Sequence, residues 1–277
     1  MILNLLDVPN GTVRWYDGGP ADAPISAMWH HGTPNVGEPP VPLLEASAAR
    51  GIRWLGFDRP DYGGSTAVDG RGVSDAADLA ARVADAAGVD TFAAVGHSGG
   101  GPHALACAAL LGDRVTSVVS ISGLAPFDAK GLDWFAGMHP GGAKELRAAM
   151  HGPSNLHTLL AASEFDPEMF TPADTLALAG EWSWFNGIAA EGVSRGLGSM
   201  TADDVAYVKE WGFSLDTIAS PALFVHGTDD RIVPLSHGRW NAVATPGAVL
   251  WERPGDGHIS VMSAGVEILD WLVGTLA

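Results

Sequence analysis

Cysteine is nearly absent from this sequence of 277 residues, and the absence limits its chemistry. The single cysteine, Cys107, excludes an intrachain disulfide, and no CxxC motif or Cys/His cluster is present to hold zinc. One unpaired thiol predicts a reducing, cytoplasmic location. We expect Cys107 itself to be a small buried apolar residue.

Positive charge is also scarce, with 15 Lys and Arg against 32 Asp and Glu, a net charge of −17. Such a surface repels nucleic acid and anionic lipid, so neither is an expected partner. No apolar run approaches the roughly 18 residues that a membrane span needs. Residues 1–8 lack the basic start of a secretion signal, so the mature protein is expected to begin near Met1.

What is present is an alternation of short apolar runs with longer Ala/Leu-rich helical patterns. This alternation predicts an α/β protein with a mostly parallel sheet, because parallel strands need helical crossovers. The first two strands lie close enough for an antiparallel hairpin at the sheet edge. The eight predicted strands are 3–8, 12–16, 25–30, 53–57, 92–95, 115–121, 222–225 and 249–252.

Three helices are predicted to accompany these strands. One spans Ser74 to Ala87, a second follows Ser98 and ends near Leu111, and the last spans Ser260 to Leu276. Helical spacing predicts one buried face on the last helix, formed by Val261, Val266, Leu269 and Leu272.

Residues 125–215 interrupt the alternation because they contain only helical patterns and loops. They are predicted to form a helical lid, inserted after the sixth strand of a core domain made of residues 1–124 and 216–277. The simplest interpretation of the insertion's aromatic residues is a small core of its own. Some must nevertheless line the gap between lid and sheet. The candidates for substrate contact are Trp134, Phe135, Trp182, Trp184 and Phe185.

Two helix starts are predicted inside this insertion. Thr171 followed by Pro172 is typical of an N-cap with proline at the first helical position. Thr201 with Asp204 three residues later resembles a capping box.

The strand at 92–95 leads directly into Gly96-His97-Ser98-Gly99-Gly100 and then into a helical pattern. When a G-x-S-x-G motif lies between a strand and a helix, a strained turn lifts the serine hydroxyl clear of the sheet. The alternative is a glycine-rich turn with an idle serine. The context favours Ser98 as a nucleophile.

A serine nucleophile needs a base and a group that orients the base. His258 follows a late strand in a glycine-bracketed loop, and Asp229 and Asp230 follow the strand before it. Loops at the carboxyl ends of parallel strands meet at one sheet edge, so Ser98, Asp230 and His258 are expected to meet there. Only one of the two adjacent aspartates can serve. We prefer Asp230 as the acid. The other aspartate, Asp229, is then expected to cap the turn.

The other histidines are weaker candidates for the base. His97 and His103 flank the serine or lie on its helix, and His237 follows Pro234 at a helix start, where we expect it to be solvated. The histidines of the insertion lie at 139, 151 and 157.

The developing oxyanion needs donors as well. The His31-Gly32-Thr33-Pro34 loop follows the third strand, and Pro34 has no N–H to donate. The predicted donors are therefore the backbone N–H groups of Thr33 and Gly99. His31 is expected to order the loop, and His30 to lie in the core.

Five motifs along nearly the whole chain resemble the α/β-hydrolase superfamily. They are HGTP at 31–34, DRPDYGGS at 58–65, GHSGG at 96–100, HGTDDRIVP at 226–234 and GDGH at 255–258. The resemblance implies an α/β-hydrolase fold, with Asp230 rather than Asp229 as the acid. A serine at position 98 argues against the dehalogenases and epoxide hydrolases of that superfamily, which use aspartate. Asp61 stands where similar sequences often have glycine.

The expected function is a cytoplasmic serine hydrolase that needs no cofactor or metal and cleaves an ester of a small to medium hydrophobic substrate. A thioester or an amide is a less favoured substrate. Alternatives on the same residues are perhydrolysis, carbon–carbon bond hydrolysis and amino-terminal peptide cleavage, which would use Glu164, Glu181 or Glu191 to hold an ammonium group. A further alternative is not an enzyme: a receptor that keeps the same residues and binds a ligand without converting it. The oligomeric state is not predicted.

Overall fold

A computed structural model describes residues 1–275, and its eight strands form one sheet in the order β1-β2-β4-β3-β5-β6-β7-β8. Every predicted strand is present. The pairs β1/β2 and β2/β4 are antiparallel and all others are parallel, so the predicted edge hairpin is confirmed. Strands β1 to β8 span Ile2–Val8, Gly11–Gly18, Ile25–His30, Ile52–Phe57, Phe92–His97, Val115–Ile121, Ala222–Gly227 and Val249–Arg253.

Ten α-helices and five short 3₁₀ turns connect these strands within residues 1–275. None of these helices combines the length and apolar composition needed to cross a bilayer. Helices α1 to α10 span Leu44–Ala48, Asp75–Ala86, Gly100–Leu110, Pro140–Ala149, Pro153–Ala162, Pro172–Ala179, Trp184–Gly192, Gly198–Tyr207, Leu235–Ala244 and Gly265–Gly274.

Both faces of the sheet are buried, which explains why the inner strands are apolar without alternation. Along β3, Ala27 and Trp29 pack in the same cluster as Leu269 of α10. Met28, between them, packs on the opposite face in the cluster that holds Leu105 of α3. The predicted α/β-hydrolase architecture, with helices on both sides of a mostly parallel sheet, is confirmed.

All residues between β6 and β7 are helical or irregular, and we call residues 122–221 the helical segment. It contains α4 to α8. Phe185 and Ile188 of α7 pack against the sheet cluster that contains Trp29, whereas Tyr207 of α8 packs in a separate cluster with Leu146 of α4. The predicted domain boundaries at 125 and 215 stay a prediction.

One of the two predicted helix starts in the segment is confirmed and the other is wrong. Thr171 caps α6 in a full capping box with Asp174, and Pro172 is the first helical residue. Thr201 lies inside α8, where its hydroxyl donates to the carbonyl of Leu197 at 2.7 Å. Inside helices, threonine often bonds the carbonyl four residues back in this way, so the pattern of Thr201 and Asp204 was misleading as evidence for a cap.

The prediction of a solvated His237 is also wrong. His237 is fully buried, its Nε2 donates to the carbonyl of Trp134 at 2.8 Å, and its Nδ1 accepts from the N–H of Ala125 at 3.0 Å. The helical segment therefore covers a helix start that would otherwise face solvent. Burial lowers the pKa of His237 to about 4.

The C-terminal prediction is partly wrong. Residues Ser260–Ala264 form a 3₁₀ turn, and α10 begins only at Gly265. A 3₁₀ turn has about 3.0 residues per turn rather than 3.6, which shifts the phase of the buried face. Val266 is consequently 43 % exposed, and Ile268 takes its expected place. The predicted end at Leu276 lies outside the described residues.

Candidate active site

Ser98 lies on a strained turn between β5 and α3. Its φ of 55° is in the left-handed region, which non-glycine residues adopt rarely and at a cost in energy. Its N–H donates to the carbonyl of Ile121 on β6 at 2.8 Å. A Cβ atom on Gly100 would lie 1.9 Å from the carbonyl oxygen of His30, and one on Gly96 would lie 2.2 Å from that of Gly100. The flanking positions therefore have no space for side chains.

Asp230 and His258, 28 residues apart in the chain, form a buried pair. His258 Nδ1 donates to Asp230 Oδ2 at 2.8 Å. The other carboxylate oxygen accepts from the N–H groups of Ile232 and Val233, both at 2.9 Å. His226 flanks the pair, with its Nε2 3.7 Å from Asp230 Oδ2. The carboxylate is thus held on both oxygens and has one imidazole in hydrogen-bond contact.

The electrostatics of this pair favour an ionised carboxylate. Burial alone would raise the pKa of Asp230, but the charge interaction and hydrogen bond with His258 lower it below its ordinary value. Asp229 is exposed, and among the described residues its carboxylate accepts a hydrogen bond only from the hydroxyl of Thr228, at 3.0 Å. Of the two candidate acids, Asp230 is the one in contact with His258.

His97 connects His258 to the serine turn. Its Nε2 donates to the backbone carbonyl of His258 at 2.9 Å, and the two imidazole rings are 4.9 Å apart. Burial, with a smaller contribution from His258, lowers the pKa of His97 to about 3, so its ring is neutral. His258 therefore contacts the residue that immediately precedes Ser98. The Ser98 hydroxyl forms no hydrogen bond with His258 or with any other described residue. Hydrogen bonds between a nucleophile and its base are often long in an unliganded protein and shorten when substrate binds.

The loop that carries Thr33 approaches both Ser98 and Gly99, the two residues at the start of the serine turn. A Cβ atom on Gly32 would lie 3.3 Å from the Cβ of Ser98, and one on Gly99 would lie 2.8 Å from Thr33 Oγ1. Among the described residues, neither the N–H of Thr33 nor that of Gly99 donates to an acceptor. Both amides are consequently without a protein acceptor in the described residues, as the predicted role requires.

A buried carboxylate that the sequence analysis missed supports this loop. Asp203 of α8 is fully buried and accepts from Thr33 Oγ1 at 2.6 Å, Arg71 at 2.6 Å, Tyr62 OH at 2.7 Å and Arg59 Nε at 3.1 Å. Burial alone would raise the pKa of Asp203, but Arg59 and Arg71 hold it well below its ordinary value. Nothing in the sequence near position 203 indicates this role.

Arg59 completes the support of the loop. Its guanidinium donates to the backbone carbonyls of His31 and Gly32, and the backbone N–H of Arg59 donates to His31 Nε2 at 3.1 Å. His31 orders the loop as predicted. The DRPDYGGS motif was recognised as a resemblance, but no role followed from it. Asp61 in that motif has a φ of 75°, which explains why glycine is common at its position.

Asp174 of α6 is the second buried carboxylate that the sequence analysis missed. Its oxygens accept from the N–H groups of His258 at 3.2 Å, Ile259 at 2.8 Å and Ser260 at 2.8 Å. The Thr171 capping signal was visible in the sequence. The contact with a loop 84 residues away was not.

The aromatic candidates fall into two groups. Phe185 lies beside His97, with ring centroids 5.1 Å apart, and Trp182 and Trp184 adjoin Phe185 at 5.9 and 4.9 Å. The indole N–H of Trp182 is buried without a partner in the described chain. Trp134 and Phe135 instead pack together in a separate cluster, beside Phe127. The first group reaches the serine turn through the contact between Phe185 and His97. No aromatic contact among the described residues joins the second group to His97.

A mostly parallel eight-stranded sheet with a serine on a strained strand-to-helix turn is the arrangement of the hydrolase fold named in the sequence analysis. Residues 28–264 match the family described as the alpha/beta hydrolase fold. The chain belongs to that family.

Two named relatives align with much of the chain. A bifunctional esterase/perhydrolase of Acinetobacter calcoaceticus is 28% identical over 89% of this chain and 89% of its own. A 2-hydroxy-6-oxononadienedioate/2-hydroxy-6-oxononatrienedioate hydrolase of Paraburkholderia phymatum is 29% identical over 70% of this chain and 66% of its own. Among solved structures, a thermophilic esterase from Thermogutta terrifontis superimposes with a TM-score of 0.74 and 17% identity, with both chains covered completely. That structural likeness shows the fold alone.

Because the backbone of Gly100 lies so close to the carbonyl of His30, we predict that a single added methyl group there greatly reduces stability. We expect Gly100→Ala to lower the free energy of unfolding by about 3 kcal/mol, because the added Cβ meets a backbone oxygen that cannot move away. Gly142→Ala, inside α4 with no atom near its Cβ, should stabilise by about 0.5–1 kcal/mol. Urea unfolding measures both changes. Equal effects of the two variants would contradict the packing argument.

The Asp203 network predicts an acid-sensitive contribution to stability. Asp203→Asn should cost about 3–5 kcal/mol at neutral pH, because it leaves two buried guanidinium groups without their anion. The depressed pKa means that this stabilisation is present above the unfolded value near 3.8 and is lost as pH falls through the folded value.

We therefore expect the difference in the free energy of unfolding between wild type and Asp203→Asn to become smaller at the acid end when urea unfolding is measured from pH 7 to pH 3. Asp78→Asn is the control, since it breaks an exposed pair with Arg82 and should leave the free energy of unfolding nearly unchanged. A gap that is constant over this range would contradict the assignment.

Proposed function

We propose that this protein is a serine hydrolase that cleaves carboxylic esters of small to medium hydrophobic groups through an acyl-enzyme on Ser98. Hydrolase activity in general is supported by membership of the family and by the named relatives. The observation that carries the finer proposal is the 2.8 Å bond from His258 Nδ1 to the buried carboxylate of Asp230, beside the serine turn.

The proposed reaction begins when Ser98 Oγ attacks the ester carbonyl and His258 Nε2 takes the hydroxyl proton. Asp230 stabilises the imidazolium that forms. The N–H groups of Thr33 and Gly99 donate to the tetrahedral oxyanion. The leaving alcohol then takes the proton from His258, and the acyl group remains on Ser98.

Water completes the reaction in the second half. His258 removes a proton from the water as its oxygen attacks the acyl carbonyl, and the same proton returns to Ser98 Oγ as the acid leaves. No cofactor or metal takes part in the proposed cycle. A cytoplasmic location belongs to the proposal, supported by a lone cysteine that is fully buried.

A hydrophobic substrate is supported by the aromatic side chains at the serine turn. We propose that Phe185, Trp182 and Trp184 contact the substrate, with the helical segment as a lid that excludes water. The buried indole N–H of Trp182 offers one donor to a polar substrate atom. Contact between substrate and Trp134 or Phe135 stays a prediction without a comparable observation.

Perhydrolysis is the second candidate, favoured by the name of the Acinetobacter relative. Hydrogen peroxide would replace water in the second half of the cycle, its oxygen would attack the acyl carbonyl, and the acyl group would leave Ser98 as a peracid. Peptide cleavage is less favoured, because Glu191, one of the three alternative carboxylates for holding the ammonium group, pairs with Arg14 at 2.6 Å. Monitoring peracid formation against acid formation in the presence of peroxide separates the first two reactions.

The proposal predicts a defined pattern of losses on a short-chain aryl ester. Ser98→Ala and His258→Ala should each lower kcat by at least about 10³-fold, and a fluorophosphonate should label Ser98 only when His258 is present. Asp230→Asn should lower kcat by about 10²- to 10⁴-fold. The matched control is Asp229→Asn, which removes the exposed neighbouring carboxylate and should keep kcat within about threefold.

Steady-state kinetics and intact-protein mass measure these outcomes. Unchanged turnover in Ser98→Ala would refute the acyl-enzyme, and unchanged labelling in His258→Ala would remove that residue as the base. An intact wild type that binds ligands tightly but neither turns over nor is labelled would favour a receptor instead.

A further inference from the structure

We propose that Asp174, on α6 of the helical segment, is a positioning residue that holds the backbone around His258 and so keeps its imidazole in place for Ser98. The inference rests on the function proposed above. It adds a residue outside the three that would react, and it gives the helical segment a part in assembling the site.

The contacts of Asp174 go well beyond those of a helix cap. One oxygen accepts from the N–H and hydroxyl of Thr171 at 3.0 and 2.9 Å and from the N–H of His258 at 3.2 Å. The other accepts from the N–H of Ile259 at 2.8 Å and from the N–H and hydroxyl of Ser260 at 2.8 and 3.0 Å. Only the Thr171 bonds belong to the capping box. Four of the six donors come from the His258 loop.

The carboxylate is held as an anion. Asp174 is 1% exposed, so burial alone would raise its pKa, but the backbone N–H groups of Ser260, Thr171 and Ile259 lower it below the ordinary value. Charge-assisted bonds of this kind are roughly twice as strong as neutral ones. A neutral side chain of the same shape would lose acceptors for several of these donors at once.

The loop itself is built to receive this carboxylate. A Cβ atom on Gly257 would lie 2.1 Å from Asp174 Oδ2, so the glycine before His258 leaves the space that the carboxylate occupies. The N–H of Gly257 donates to Ser260 Oγ at 2.7 Å, and that hydroxyl donates to Asp174. The turn is therefore closed through Asp174.

Two separate parts of the chain meet in this contact. Asp174 belongs to the helical segment between β6 and β7, whereas His258 follows β8. A displacement of α6 away from the sheet would remove four acceptor contacts from the loop that carries His258. Since a misplacement of about 1 Å can cost about 10²-fold in rate, the position of α6 sets whether the base is competent.

The test compares Asp174→Asn with Thr171→Val, which damages the same cap but leaves the carboxylate and its four bonds to the loop. We expect Asp174→Asn to lower kcat on a short-chain aryl ester by about 10²-fold with KM within about threefold, and to slow fluorophosphonate labelling of Ser98 equally. Thr171→Val should lower Tm and keep kcat within about threefold. Asp174→Asn with kcat within threefold of wild type would reduce Asp174 to a cap and overturn the inference.

A double-mutant cycle tests the route of the effect. If Asp174 acts through His258, adding Asp174→Asn to His258→Ala should leave the residual rate within about threefold. A further loss of tenfold or more would overturn that route. Should Asp174→Asn fail to fold, Gly257→Ala takes its place, since its Cβ displaces the carboxylate, and an unchanged kcat there would overturn the inference.

The outcomes also separate this inference from the proposed function. Turnover that survives in Ser98→Ala and His258→Ala, together with labelling of Ser98 that survives in His258→Ala, overturns both. Turnover that is lost in those variants but survives in Asp174→Asn overturns the positioning role alone.

Discussion

A carboxylate that stays ionised while buried away from water needs hydrogen-bond donors for its oxygens, and this requirement organises the candidate site. Three buried aspartates meet it by binding different parts of the chain. Asp230 takes His258 and two backbone N–H groups, Asp174 takes the turn after His258, and Asp203 takes Thr33 with two arginines. By accepting these hydrogen bonds, each carboxylate fixes the position of one side chain or loop around Ser98.

The helical segment supplies two of these three anions. Asp174 comes from α6 and Asp203 from α8, whereas Ser98 and His258 come from the sheet side of the protein. The helical segment therefore supports the two loops that carry His258 and Thr33, in addition to the lid role proposed for it. A site built this way is complete only while the segment is packed against the sheet.

Local signals in the sequence were sufficient for the parts of the site that depend on neighbouring residues. The serine turn was visible because glycines must flank Ser98 wherever a strand turns this sharply into a helix. The strands were visible because burial on both faces demands continuous apolar runs. His237 was misjudged because a distant part of the chain covers it. Thr201 was misjudged because the helix begins earlier, at Gly198, and the threonine hydroxyl donates to a carbonyl four residues back instead of capping the helix.

The sequence by itself determined the eight strands and their order along the chain, the serine turn, and the candidate residues Asp230 and His258, since each is carried by a short pattern of residue types. Only the tertiary structure showed the contact between Asp230 and His258, and only it decided that Asp174 and Asp203 support the loops around Ser98. These choices depend on contacts between residues 28 to 170 positions apart. No local pattern encodes them, because a carboxylate's partners are determined by which donors folding brings within about 3 Å.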